Sequence, residues 1–218
     1  MAIDTVIFDM DGLLIDSEPL WLQAGKQVMA QYGKQLTAAE YETTVGLRTQ
    51  EWLVYWFNYF GLPHTTIASA EVQILSLVQE MIMQKGNAMQ GVQHIVQFFL
   101  EKKFKLGLAT SSPMALAQAV VQKLGLATHL QAITSAEHLQ YGKPHPQVYL
   151  QCAEALGSEP ENCLCFEDSF NGLIAAKAAK MKCIVVPAAH QLKDARWGAA
   201  DLKISSLQNF NELLMNRL

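Results

Sequence analysis

From its amino end the chain runs Val6-Ile7-Phe8 and then breaks on Asp9-Met10-Asp11-Gly12, a short apolar run that stops on two carboxylates and a glycine. Unbroken apolar runs of this length fit strands buried on both faces, the usual state of parallel sheets. Comparable runs occur at Lys105–Thr110, Gln131–Thr134, Cys163–Phe166 and Cys183–Val186, with a last short one at Leu202–Ile204. Helical spacing of apolar positions follows at Pro113–Leu124, Pro146–Leu156 and Ser169–Ala179, and a closing helix is expected over Leu207–Leu218. Strand alternating with amphipathic helix predicts βαβ units and a parallel α/β sheet.

One interval departs from that rhythm. Between Gly12 and Lys105 lies far more chain than the dozen or so residues a crossover needs, and most of it reads as helix. Trp52, Tyr55, Trp56, Tyr59 and Phe60 fall at i, i+3, i+4, i+7 and i+8, the spacing of a single buried stripe, and Ile74, Leu75, Val78, Met81 and Ile82 repeat it. Gly86 and Gly91 bracket the return, and a crossover helix over Val92–Lys102 leads back to the sheet. The expected organisation is a core of residues 1–15 and 88–218 interrupted by a helical domain of residues 16–87.

Composition narrows the function classes. With 218 residues, half of them hydrophobic, the chain can bury a substantial core. A net charge of −4 provides no basic stripe for a nucleic-acid backbone, although one or two local cations suffice for a small phosphate ester. The first strand starts too early for a secretory leader, and no apolar run is long enough for a bilayer, so the expected setting is the cytoplasm, without membrane partners. Cys152, Cys163, Cys165 and Cys183 follow strand and helix patterns and read as buried small hydrophobes, not a disulfide or zinc framework.

The strand ends carry the chemistry. Two neighbouring carboxylates at the mouth of a sheet repel and call for a cation or a shared proton, though an Asp-rich turn would give the same letters. Thr110-Ser111-Ser112-Pro113 offers hydroxyls at a strand tip, then a serine cap and a proline at the first helical position; such a start seats an anion or is simply a cap. Lys143, held extended by Pro144 in Gly142-Lys143-Pro144-His145-Pro146, suits neutralisation of phosphate oxygens, or is a solvated loop lysine. Glu167-Asp168 ends another buried strand on acids, which with Asp9 and Asp11 gives enough carboxylate oxygen for one Mg²⁺.

Asp9-x-Asp11-Gly, the strand-tip Thr110, Lys143 in GKPHP and the Glu167-Asp168 pair, in this order, resemble the haloacid dehalogenase-like hydrolase superfamily, in particular its sugar-phosphate phosphatase and β-phosphoglucomutase branch, with 2-deoxyglucose-6-phosphate phosphatases nearest. The resemblance implies a Rossmann-like core with a helical cap inserted after the first motif. It also implies Asp9 as a nucleophile forming an aspartyl-phosphate and Asp11 as general acid and base. Lys143, Thr110 and the Ser111 amide would then hold the phosphate, and Mg²⁺ would sit on Asp9, the Asp11 carbonyl and Asp168, with Glu167 directly or through water.

Cap residues Glu18, Trp21 and Arg48 are expected to touch the leaving group. Trp21 stands in the stretch where β-phosphoglucomutase has a histidine, and an indole cannot shuttle a proton, which favours hydrolysis over mutase transfer. The expected substrate is a small phosphorylated metabolite such as a hexose or hexitol 6-phosphate, acted on by a monomer or weak homodimer. A phospho-receiver module, the alternative from another class, lacks a large helical insertion.

Overall fold

The apolar runs pair as six parallel strands in the computed structural model, which describes residues 3–218. They are β1 (Thr5–Phe8), β2 (Lys105–Thr110), β3 (Ala132–Ser135), β4 (Cys163–Glu167), β5 (Lys182–Val185) and β6 (Leu202–Lys203), in spatial order β3-β2-β1-β4-β5-β6. Alternation along the strands sorts side chains onto two faces. Val6, Phe8, Leu108 and Phe166 enter one core, while Ile7, Ala109, Cys165 and Cys183 enter the other. All four cysteines are free and buried.

Helices α1 (Glu18–Gln31), α2 (Ala38–Glu42), α3 (Thr49–Phe60) and α4 (Ile67–Lys85) lie in sequence between β1 and β2, and α5 (Val92–Glu101) delivers the chain to β2. The connections further on carry α6 (Met114–Lys123), α7 (Gln147–Ala155) and α8 (Phe170–Ala178), and α9 (Glu212–Met215) closes the chain. Gly107 lets α7 lie close on β2, since a Cβ there would meet Cys152 Sγ at 2.7 Å. No described helix is long and apolar enough to cross a membrane.

Three local expectations need correction. The closing helix over Leu207–Leu218 is broken: one 3₁₀ turn covers Leu207–Asn209, and α9 starts afresh after Asn211, whose side chain accepts from the Leu213 and Leu214 amides. Phe210 between them is extended and fully buried against Phe98, Phe99 and Phe166, a packing that a continuous helix would forfeit. On α3 the buried face is Trp52, Leu53, Trp56 and Phe57, whereas Tyr55 and Tyr59 are 48% and 63% exposed. Phe57 meets Tyr32 edge-on with centroids 5.1 Å apart, which turns the helix about one position from the expected stripe. Finally, α6 is capped by Pro113 without a side-chain hydrogen bond, and the Ser112 hydroxyl is used elsewhere.

β1 is flanked by β2 on one side and β4 on the other, so the strand order reverses at β1. In open parallel sheets a crevice forms beyond the carboxyl ends at such a switch point. Asp9 and Asp11 follow β1, Thr110 ends β2 and Asp168 follows β4, so all four border that crevice.

Candidate active site

Lys143 is the centre of the arrangement. Its side chain is 1% exposed, and its ammonium donates to Asp9 Oδ1 at 2.5 Å, Glu167 Oε1 at 2.7 Å and the Ala109 carbonyl at 3.0 Å. Burial disfavours a charged lysine, but the Asp9 and Glu167 charges outweigh it and raise Lys143 above its ordinary value. It is a fixed cation.

Glu167 is engaged on both oxygens. Oε1 also accepts from the Tyr149 hydroxyl at 2.6 Å, and Oε2 accepts from the Asp168 amide at 3.1 Å and from the Ser169 amide and hydroxyl at 3.2 and 3.1 Å. Gly172, in the first turn of α8, makes room for this carboxylate, because a Cβ there would collide with it. The expected serine cap of α8 is observed: Ser169 Oγ accepts from the Gly172 amide at 3.0 Å.

Asp9 and Asp168 face the opposite situation. No described side chain donates to the Asp168 carboxylate, and Asp9 has a donor on Oδ1 alone. Desolvation, with neighbouring acids adding to it, raises both carboxyls well above the usual range, and one ammonium cannot balance three clustered acids. Ligand oxygens of Asp9, Glu167 and Asp168 lie within 4.8 Å of one another. Gly12, at φ +73°, completes the cradle, for a Cβ there would run into the Asp168 carboxylate. The open oxygens of Asp9 and Asp168 suit a divalent cation such as Mg²⁺, whereas Glu167, expected to bind it directly or through water, has both oxygens taken by Lys143, Tyr149 and the Asp168–Ser169 segment.

Asp11 is pinned by three donors. Ser17 Oγ and Trp21 Nε1 reach its Oδ1 at 2.7 and 2.8 Å, and Ser112 Oγ reaches its Oδ2 at 2.6 Å. The Thr110 hydroxyl oxygen accepts from the Ser112 amide at 3.0 Å, leaving its own proton to donate. Ser111 Oγ donates to the Gly46 carbonyl at 2.7 Å, tying the strand tip to the segment before α3. The backbone amides of Asp11 and Ser111 have no acceptor among the described residues, and these two residues line one cavity with Asp9 and Thr110.

The residues expected to contact a leaving group separate. Glu18 and Trp21 line the cavity, and Glu18 accepts from Tyr41 at 3.1 Å, its carboxyl pushed up to about 8 by burial and the Asp11 charge. Arg48 does not line it. Its guanidinium donates to Glu51 at 2.5 Å and to the Leu139 and Ala136 carbonyls at 2.7 and 3.1 Å, which fastens α3 to the loop after β3. Ser17, Ser112, Tyr149 and Gly172 were not singled out from the sequence as site residues. Tyr149 carried a signal, as a hydroxyl on the otherwise apolar face of α7, in its first turn and six residues past Lys143; the serines resembled ordinary caps and turns.

Sheet order and acid cluster together define an α/β protein with a ligand crevice at the switch point. Residues 3–180 match the haloacid dehalogenase-like hydrolase family, and the chain belongs to it. It is 42% identical over 204 residues to hexitol phosphatase B of Escherichia coli K12, covering 92% of this chain and 91% of that protein. It is 30% identical to a phosphorylated carbohydrates phosphatase of Thermotoga maritima, covering 88% of each. Among solved structures it superposes on β-phosphoglucomutase from Clostridium difficile with a TM-score of 0.87 at 20% identity, over 98% of this chain and 96% of that one, a likeness of fold.

Proposed function

We propose that the chain is a Mg²⁺-dependent phosphatase of small sugar or sugar-alcohol monophosphates, working through an aspartyl-phosphate on Asp9. The observation that carries this reading is the Asp9 carboxylate, held by Lys143 through one oxygen and open on the other, in a cavity with Thr110 and the free Asp11 and Ser111 amides. The hexitol and carbohydrate phosphatases among its relatives support the substrate class.

In this reading the free oxygen of Asp9 attacks phosphorus, forming a P–O bond as the bond to the sugar oxygen breaks. Lys143, the Thr110 hydroxyl and the two amides neutralise charge on the equatorial oxygens. Asp11 delivers a proton to the departing alkoxide, which requires one of its three donors to give way, and then takes a proton from the water that frees phosphate and restores Asp9. Asp9, Asp168 and the Asp11 carbonyl would hold the cation, with Glu167 behind them securing Lys143, and bound Mg²⁺ would supply further charge neutralisation at the phosphate. Helices α1 to α4, the proposed cap, close the cavity over the strand ends. Trp21 spends its one polar hydrogen on Asp11, which favours hydrolysis over transfer within the sugar.

The test is release of inorganic phosphate from a hexitol 6-phosphate with Mg²⁺, abolished by EDTA and restored by added Mg²⁺. No release with the metal present would refute the reading. A second expectation concerns Gly172→Ala: the added methyl displaces Glu167 and with it Lys143, so kcat falls by roughly 10²-fold and stability by about 1–3 kcal/mol. Steady-state kinetics and urea unfolding read the two effects.

A further inference from the structure

Arg48 and Glu51 stand at the start of α3, and every side-chain partner they have beyond that first turn lies on the loop from Ala136 to Gly142. Arg48 donates to the Ala136 and Leu139 carbonyls, while Glu51 Oε1, which also takes the guanidinium, accepts from the Gly142 amide at 3.1 Å. Gly142 is buried, and without Glu51 its amide would have no acceptor among the described residues, an unfavourable state. The fit is close. A Cβ on Gly142 would lie 2.5 Å from Glu51 Oε2 and 2.8 Å from Arg48 Nε. An exposed Arg–Glu pair by itself contributes little. Here the Arg48 side chain is only 13% exposed, and its planar fork serves a carboxylate and two carbonyls at once.

The segment just before α3 is tied to two further strand ends. Asn171, in the first turn of α8, donates from Nδ2 to the Val45 carbonyl at 2.8 Å, and Ser111 at the tip of β2 donates to the Gly46 carbonyl. Gly46, at φ +88°, comes so near Ser169 that a Cβ would lie 2.6 Å from its Oγ. Val45, Gly46, Leu47 and Thr49, held between these ties, line the cavity that contains Asp9 and Thr110. The loop gripped by Arg48 and Glu51 runs directly into Lys143. Packing of α3 among the helices rests on other residues, Trp52, Leu53, Trp56 and Phe57. Arg48 and Glu51 can therefore be changed without opening that core.

We propose, on the basis of the phosphatase reading above, that Arg48 and Glu51 are positioning residues for that reaction: they touch no substrate, and they hold the cavity wall of residues 45–49 down on the strand ends before the leaving group arrives. Without them, binding has to seat the wall, and that cost appears in KM. Arg48→Met keeps the stem and removes the fork, and Glu51→Ala removes the acceptor. Gly142→Ala displaces both from the loop side, and Gly142 is not among the positive-φ glycines, so alanine suits its backbone. Each variant is expected to raise KM for a hexitol 6-phosphate by roughly 10- to 100-fold, with kcat changed less than about threefold. Glu51→Gln, which keeps an oxygen for the Gly142 amide, should recover part of the loss. The double variant Arg48→Met with Glu51→Ala should be no worse than the poorer single one.

A second measurement reads the wall itself. All four native cysteines are buried, so nitroxide labels can be confined to cysteines introduced at two exposed positions, Val72 on α4 and Gln151 on α7. Electron–electron double resonance on substrate-free protein should give one separation for the otherwise wild-type chain and a broader or longer distribution once Arg48→Met or Glu51→Ala is added. An unchanged distribution would overturn the assignment, as would a fall in kcat at constant KM, the mark of a merely structural role. A KM rise confined to Arg48→Met would make Arg48 a direct ligand of the leaving group and overturn it as well. No phosphate release by the wild type with Mg²⁺ would remove the phosphatase reading itself, whereas turnover with unaltered KM in the variants would remove this proposal alone.

Discussion

Asp9→Asn is expected to reduce phosphate release by a factor on the order of 10⁴ to 10⁶, the range in which enzymes lose their nucleophile. The amide oxygen of asparagine can still accept from Lys143, so the local hydrogen bonding survives while the attacking oxygen is gone. Stability should move the other way. Burial raises Asp9 well above its unfolded value, so across the interval between those two values the native state binds more protons than the unfolded chain. Stability contributed by this group therefore falls as pH rises through that interval and stands at its lowest above the native value in metal-free protein. Removing the carboxyl removes that penalty. Without Mg²⁺ at pH 7, the variant should melt no lower than the wild type and unfold at an equal or higher urea concentration. Loss of activity together with a lower midpoint would mean that Asp9 is holding the fold, and the nucleophile assignment would fail.

How much of this was legible beforehand depended on whether a residue's partners were near it in the chain or supplied from far away. Acids at the end of a buried strand announce themselves, because an apolar run that stops on carboxylates at a sheet mouth leaves them solvent or a ligand to face. Asp9, Glu167 and Asp168 were visible on that ground, and Lys143 was visible through the proline that follows it. Ser112 was not. Its cap-like position predicts a bond to its own helix, whereas the hydroxyl goes to Asp11, 101 residues away in the chain. Arg48 misleads for a related reason: nothing local shows that the loop carbonyls after β3 will claim its guanidinium. On α3, apolar residues from Trp52 to Phe60 cover nearly the whole circumference, so the buried face is chosen by Tyr32 and its other neighbours and not by its own period.

The opposite sign of stability change separates Lys143 from Asp9. Lys143→Met keeps most of the side-chain volume and removes the ammonium that Asp9 and Glu167 share. Glu167 is fully buried, and the Tyr149 and Ser169 hydroxyls and the amides of residues 168 and 169 would remain as its donors. Those are dipoles, not a counter-charge. Breaking a buried ion pair from one side costs about 3–5 kcal/mol, because the remaining charge is stranded, so urea unfolding should shift down by that amount. Arginine cannot substitute, since a planar fork does not fit a slot closed by the Ala109 carbonyl and the Tyr149 ring, which lies 4.8 Å from Nζ. For catalysis, the same change removes one fixed positive group from the transferring phosphoryl, for which a loss of about 10² to 10³ in kcat is expected. Measured well below the melting point, that loss reports on charge at the phosphate and not on unfolding. If Lys143→Met left stability untouched, Glu167 would have to be held without a cation, and the reading of Lys143 as the hub between the two strand ends would fall with it.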